Sequence, residues 1–462
     1  MTGFEGKWLW PATPIEEFSE VGHLRGTFLI SYQLTIASAA PLQEGHVQRT
    51  LQHLYHKVPS LRTCYGTRDG IVWLREATNK NIDFQVVKPN YCEWDVMNAL
   101  RSYRYNSETG PLWCARLLPV NQKVIPGCPI ESDFPHRYHI FLGLHHGIAD
   151  GMTAMKICGF IVTLLEDVIA GKHISDEEQL GDYVGQEETC SLINEKKVFL
   201  EQNPTKKNEA IKEIESYKDA KSVFMETLAL ATGTKNRTRS VTHFLNPEIT
   251  HRFIQKCRAE GVTVHSAFTS LANVAIADIL NEKGIDQESY KIINNHVINI
   301  RRYWTGDTSR SLGCHIVAPM RLYTDVPRNI CGYFWDFARR VHDDLQNALN
   351  GGVILRNQAI GQLTSTRRMD PDDFFYPLLP ADYCTSNLGD VTSLVTEGGE
   401  HIRPLRVLRS VSIHSTNASW SHLFNTFRGR FVHVLDYNNG TVPKELAQSY
   451  SDQIFRRLEE VI

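Results

Sequence analysis

The chain has 462 residues, of which 42% are hydrophobic and 22% charged, an ordinary balance for a globular protein with room for two or three domains and a large core. Its formal net charge of −3 gives no electrostatic reason to expect nucleic acid or an anionic membrane as partner. No apolar run reaches the length of a spanning helix, and the first residues (MTGFEGKWLWPATPIEEF) lack the continuous apolar stretch of a secretory signal. The ten cysteines are dispersed without a C-x-x-C pair, which predicts reduced thiols in a cytoplasmic compartment.

In chain order, GTFLISYQLTIAS alternates as a strand, and Pro41 to Lys57 follows as a helix with Val47, Leu51 and Leu54 on its apolar stripe. The run VPSLRTCYGTRDGIVWL predicts two short strands around the turn Arg68–Asp69–Gly70. A helix from Glu93 to Asn106 and a strand in GPLWCARLLPV come next. The segment from Arg137 to Gly171 is the most informative. Tyr138, Ile140, Leu142 and Leu144 alternate with His139, Phe141, Gly143 and His145, as in a strand buried on at least one face. From Met152 to Ile169 apolar residues recur at three- and four-residue intervals, a helix stopped by Gly171. Between them lie His145, His146, Gly147, Ile148, Ala149, Asp150 and Gly151, with Asp150 placed to cap the helix. A neutral imidazole at such a corner can take a proton from a hydroxyl, amine or thiol. Adjacent histidines lack the i, i+4 spacing that sets two ligands on one helix face, so no metal is expected.

The pattern H-H-x-x-x-D-G is expected by chance on the order of 0.003 times in a chain of this composition. It resembles the active-site signature of the condensation-domain and chloramphenicol-acetyltransferase superfamily, nearest to alcohol acetyltransferases and polyketide-associated acyltransferases. The resemblance implies an α/β fold of two chloramphenicol-acetyltransferase-like halves, each a mixed sheet flanked by helices, with a tunnel between them. It implies His146 as general base, with His145 and Gly151 completing the corner. Asp150 is implied to be structural, paired with a distant arginine. Val58, Pro59, Leu61 and Arg62, and Gly110, Pro111, Leu112 and Arg116, match two further family segments. The D-F-G-W-G signature of plant BAHD enzymes is absent, which separates the chain from that branch.

Beyond the corner, charge blocks such as PTKKNEAIKEIESYKDAK mark 186–239 as a solvated connecting segment. The expected division is therefore an N-terminal half over 1–185 and a C-terminal half over 240–462. In the latter, helices are expected over EITHRFIQKCRAEG and Val264 to Leu280, and strands over YKIINNHVINIRRYW and LGCHIVAPMRLYTDVP. Arg301 or Arg321 is the expected partner of Asp150, and the family order favours Arg321. The segment DYCTSNLGDV resembles the family's S-N-x-G stretch, making Ser386 and Asn387 candidate substrate contacts, with a plain polar turn as the alternative. A strand–turn–strand and a closing helix complete the chain.

The function so implied is transfer of an acyl group from acyl-CoA, as co-substrate and not as tightly bound cofactor, to a hydroxyl of a small or lipid-like acceptor. An amine acceptor, a stand-alone condensation domain, and a non-catalytic binding protein of the same fold are the alternatives. The two halves consume the 462 residues, so a free thioester is expected over a carrier-tethered one.

Overall fold

The computed structural model describes residues 6–462 apart from 123, 217–220, 229–231, 318, 331, 365–380 and 415–417. Two lobes each hold a mixed sheet flanked by helices. The first lobe's sheet has the order Ile402–Val411, Leu29–Ser38, His136–His145, Trp113–Val120, Asp83–Val86. The histidine strand runs antiparallel to Leu29–Ser38, with His145 opposite Leu29. Its alternation reflects two covered faces rather than one wet face. Helices Glu44–Lys57 and Gly151–Ile169 belong to the same core cluster as Ile140, Leu142 and Leu144. On the other face, a Cβ added at Gly143 would meet Leu100 and Tyr105 within about 3 Å, so helix Glu93–Leu100 and its following turn close that side. The turn at Arg68–Asp69–Gly70 joins the paired strands Thr63–Arg68 and Ile71–Glu76 as expected.

The second lobe's sheet has the order Met320–Pro327, Ser289–His296, Ala381–Asp390, Ala418–Phe427, Arg430–Asn438, Thr238–Phe244. Helices Pro247–Ala259, Val264–Glu282, Phe334–Asn350 and Lys444–Val461 share a second core with it. Thr263 caps the second of these helices by accepting the Ser266 N–H.

The helix expected from Glu93 to Asn106 stops at Leu100, and the strand expected over YKIINNHVINIRRYW stops at His296 and gives way to the 3₁₀ turn Ile300–Tyr303. Three further departures concern the seam between lobes. Ile402–Val411, which lies in the second half of the chain, is hydrogen-bonded into the first lobe's sheet against Leu29–Ser38. The expected strand over LGCHIVAPMRLYTDVP is two pieces, Ser311–Leu312 and Met320–Pro327, because Gly313 at φ 128° breaks the extended run. The short piece pairs in parallel with Asp182–Tyr183 of the first half. Finally, the charged segment forms helices Glu187–Gln202 and Pro204–Ser216, and the first of them buries Thr189, Ile193 and Leu200. A solvated connector accounts for only one face of that helix.

A buried cluster ties the seam together. The Arg101 guanidinium, at the end of helix Glu93–Leu100, donates to Asp436 at 3.0 Å, Ser240 at 2.9 Å and Ser410 at 2.7 Å. Arg101 and Asp436 are both at most 2% exposed, so removing one strands the other's charge away from water. Replacing Arg101 with Ala is expected to cost about 3–5 kcal/mol of unfolding free energy. Denaturant titration measures it, and a loss below 1 kcal/mol would contradict the role of this pair.

Candidate active site

The corner is shaped by the change from strand to helix. After His145 a single 3₁₀ turn, His146–Ile148, carries the chain round, and helix Gly151–Ile169 begins. Asp150 caps that helix: its Oδ1 accepts the Thr153 N–H at 2.8 Å. Gly147 has no alternative, because a Cβ there would stand 1.9 Å from the Tyr65 hydroxyl.

The two imidazoles have separate roles. His145 is fully buried and its Nδ1 accepts the Gly147 N–H at 3.0 Å. Its proton therefore sits on Nε2, which donates to Glu20 at 3.0 Å. Glu20 belongs to helix Pro14–Arg25 and also receives His23, whose Nδ1 stands 3.4 Å away. Burial works against the Glu20 charge, yet hydrogen bonds from His145 and His23 hold its carboxyl well below the usual carboxylate range. Burial pulls the His145 pKa down, opposed by Glu20, so the ring stays neutral. The facing ligand atoms of Glu20, His23 and His145 all lie within 4.8 Å of one another. They do not suit a metal, because the far nitrogen of each ring already accepts a backbone N–H, from Gly147 to His145 and from Tyr105 to His23. A metal-bound neutral imidazole needs a proton on that far nitrogen.

His146 faces the other way. Its Nδ1 lies 3.1 Å from the Ala149 carbonyl, an acceptor only, so Nδ1 carries the proton and Nε2 keeps its lone pair. Burial lowers its pKa below 6.5, so the ring is neutral at pH 7. Phe28 stacks on it at 4.6 Å between ring centres and 18° between planes. Phe28 itself has φ 61°, a conformation that costs a bulky residue about 1–3 kcal/mol. That strain places an aromatic ring flat on the imidazole and restricts its rotation. Nothing in the local pattern singles out Phe28, which reads as an ordinary residue at a strand's start.

His146 and Gly151 line a cavity of about 370 Å³ walled by both lobes. Ile30 and Tyr32 come from the first sheet, Cys384 and Ser386 from the second, and Thr189 and Ile193 from the connecting helix. Ser386 reaches the cavity, and its Oγ accepts from Arg409 at 3.0 Å, which leaves the hydroxyl hydrogen to donate. Asn387 does not line it: its side chain accepts the Gly389 N–H at 2.8 Å, at an irregularity near the end of strand Ala381–Asp390 and not in a separate turn.

Asp150 is 2% exposed and stands behind the cavity wall. Its Oδ2 accepts the His315 N–H at 2.9 Å and pairs with Arg301 at 2.5 Å. Arg301 rather than the favoured Arg321 is therefore its partner. The guanidinium also donates to Ser311 at 2.7 Å and Thr153 at 3.1 Å. The reason lies in the irregular run after strand Ser289–His296. The 3₁₀ turn Ile300–Tyr303 carries Arg301 to the seam, where Ser311, Gly313 and His315 surround the carboxylate. Arg321 is on the sheet's edge strand, donating to the Tyr323 hydroxyl at 3.0 Å. Burial opposes the Asp150 charge most strongly, but Arg301 and the hydrogen bonds from the Thr153 and His315 N–H groups together outweigh it and hold the carboxyl down at about 2.

Two outcomes follow for stability. Arg301→Gln strands a buried carboxylate and is expected to cost about 3–5 kcal/mol, whereas Arg321→Gln costs less than half of that; equal losses in thermal unfolding would contradict the assignment. The folded Asp150 pKa is depressed from 3.8 to about 2. Its contribution is therefore fully present above the unfolded value and disappears as pH falls from about 4 to about 2. Asp150→Asn should flatten the acid limb of the stability profile there, and an unchanged limb would refute the linkage.

No protein-family model matches the sequence, and neither does any curated protein sequence. Solved structures do match over nearly the whole chain. The trichothecene 15-O-acetyltransferase of Fusarium sporotrichioides is similar at TM-score 0.67 and 13% identity, covering 98% of this chain and 95% of its own. The first condensation domain of the calcium-dependent antibiotic synthetase is similar at TM-score 0.66 and 12% identity, covering 99% and 96%. Polyketide synthase associated protein 5 from Mycobacterium tuberculosis follows at TM-score 0.63 and 14% identity, covering 98% of each chain. The chain thus has the two-lobed fold shared by condensation domains and chloramphenicol-acetyltransferase-like acyltransferases.

Proposed function

We propose that this protein is an acyltransferase that moves an acyl group from an acyl-CoA thioester to a hydroxyl of a small or lipid-like acceptor, with His146 as general base. The observation that carries this reading is the Nδ1 hydrogen bond to the Ala149 carbonyl, which leaves Nε2 as the basic atom of a neutral ring on the cavity wall. The similar fold of an O-acetyltransferase supports the same class of reaction.

In this scheme the acceptor hydroxyl gives its proton to His146 Nε2 as its oxygen attacks the thioester carbonyl. The carbonyl electrons move onto oxygen, giving a tetrahedral oxyanion. The Ser386 hydroxyl and the first turn of the helix that begins at Gly151 supply donors for that charge. Collapse of the intermediate breaks the C–S bond and releases the ester. The departing thiolate takes the proton back from the imidazolium, so His146 ends as it began. No acyl-enzyme forms. Asp150 and Arg301 hold the corner and do not touch the reacting atoms.

A carrier-bound thioester is the second reading for the donor, favoured by the match to condensation domains. Presenting one acyl group on coenzyme A and on a phosphopantetheinyl carrier protein separates the two.

Release of coenzyme A from a panel of acyl-CoAs with mixed alcohols and amines tests the main reading. His146→Ala should lower turnover by about 10²–10⁴-fold without a change in melting temperature. The acid limb of kcat/KM should lie below pH 6.5, because burial depresses the folded pKa of the base. Undiminished turnover in the variant would refute the assignment.

A further inference from the structure

We propose that Arg409 and Tyr32 form a carboxylate-binding subsite in the wall of the His146 cavity, so that one of the two substrates bears a carboxylate. This rests on the acyltransferase reading and adds the substrate class to it.

Arg409 lies on Ile402–Val411, the strand that crosses from the second half of the chain into the first lobe's sheet. Tyr32 is its direct cross-strand partner, so the two side chains share one face, and both line the cavity. Arg409 is 5% exposed. Its terminal nitrogens donate to the Ser386 hydroxyl at 3.0 Å, to the Ser386 carbonyl, and to the Phe424 carbonyl at 3.1 Å. Every one of these acceptors is neutral. The Nε–H is buried with no acceptor among the described residues, as are those of Arg101 and Arg406, so the distinguishing feature of Arg409 is its missing counter-charge. Nor does any carboxylate among them lie within 4.0 Å of the guanidinium. The cavity lining contains no Asp, Glu or Lys and no other Arg among the described residues. The Tyr32 hydroxyl makes no hydrogen bond to a described residue, and burial raises its pKa, so it remains an O–H donor.

The contrast with the other buried arginines of the seam is informative. Arg101 is paired with Asp436 and Arg301 with Asp150. A buried cation without a counter-charge beside it is unfavourable, because its lost hydration is not offset. A purely structural tether between Ser386 and Phe424 would need donors, not a charge. A carboxylate in the cavity resolves the charge deficit by accepting from the Tyr32 hydroxyl while neutralising the guanidinium. A lone guanidinium with no second cation suits one carboxylate better than the diphosphate of coenzyme A.

The carboxylate belongs either to the acceptor, as in a hydroxy acid, or to the acyl group, as in a dicarboxylic monothioester. Two arms distinguish these sources. In the first, hydroxy acids are compared with their methyl esters as acceptors, with acetyl-CoA as donor. In the second, succinyl-CoA is compared with butyryl-CoA, using a neutral alcohol.

One arm should show a preference for the carboxylate of about tenfold or more in kcat/KM, the range of one charged hydrogen-bonded contact, and Arg409→Gln should abolish that preference. Because Arg409 also joins two strands, the wild-type preference stands as a test that needs no variant. Neutral substrates preferred in both arms would overturn the proposal while leaving the acyltransferase reading intact. Binding of the hydroxy acids to the His146→Ala protein, followed by calorimetry, needs no turnover. Affinity that is lost on Arg409→Gln or Tyr32→Phe would uphold the subsite even if no acyl transfer were found. With succinyl-CoA measured alongside them, no difference between the hydroxy acids and their esters and none between succinyl-CoA and butyryl-CoA would overturn it.

Discussion

A carboxylate from one lobe and a guanidinium from the other, Asp150 and Arg301, meet at 2.5 Å with almost no access to water. Around this contact the first lobe's helix start, the 3₁₀ turn of Arg301 and the Ser311–His315 stretch are all fixed to one another. Because the charges are desolvated, neither partner can leave without stranding the other, and the seam has one favourable register. Asp150 thereby does two things at once: it caps the helix that follows the histidine corner, and it anchors that corner to the opposite lobe. With the Arg101–Asp436 cluster and the crossing strand Ile402–Val411, this contact joins the two lobes that wall the cavity.

Upon that anchor the imidazoles divide their labour through backbone bonds. His145 is turned inward by the Gly147 N–H and tied through Glu20 to the N-terminal helix. His146 is turned toward the cavity by the Ala149 carbonyl and pressed by Phe28. The same residue type in adjacent positions yields a structural tether and a basic nitrogen, because the tautomer of each ring is set by what its inner nitrogen meets. Strain in the Phe28 backbone is tolerated where it keeps one ring flat on another.

Much of the fold was legible in the sequence because local periodicity survives in it. The strand His136–His145, the cap at Asp150 and the helix Gly151–Ile169 are each written in spacing alone. What was not legible lay where the chain leaves regular structure. The choice between Arg301 and Arg321 depends on the path of residues 297–317, an irregular stretch with no period to read. Glu20, His23 and Arg409 reach the site from elements distant in sequence. Their roles appear only when helix Pro14–Arg25 and strand Ile402–Val411 are brought against the corner. The charged connecting helix misled for a related reason: its acidic and lysine residues describe the wet face, while Thr189 and Ile193 on the other face border the cavity.

The central claim is that His146 rests as a neutral ring with its proton on Nδ1 and its lone pair on Nε2, facing the cavity. Long-range ¹⁵N–¹H correlation spectra of histidine-labelled protein, assigned by comparison with His146→Gln, measure this tautomer directly. The account predicts an Nδ1-protonated neutral ring at pH 7 that becomes imidazolium only below pH 6.5. A ring protonated on Nε2, or already cationic at pH 7, would contradict it.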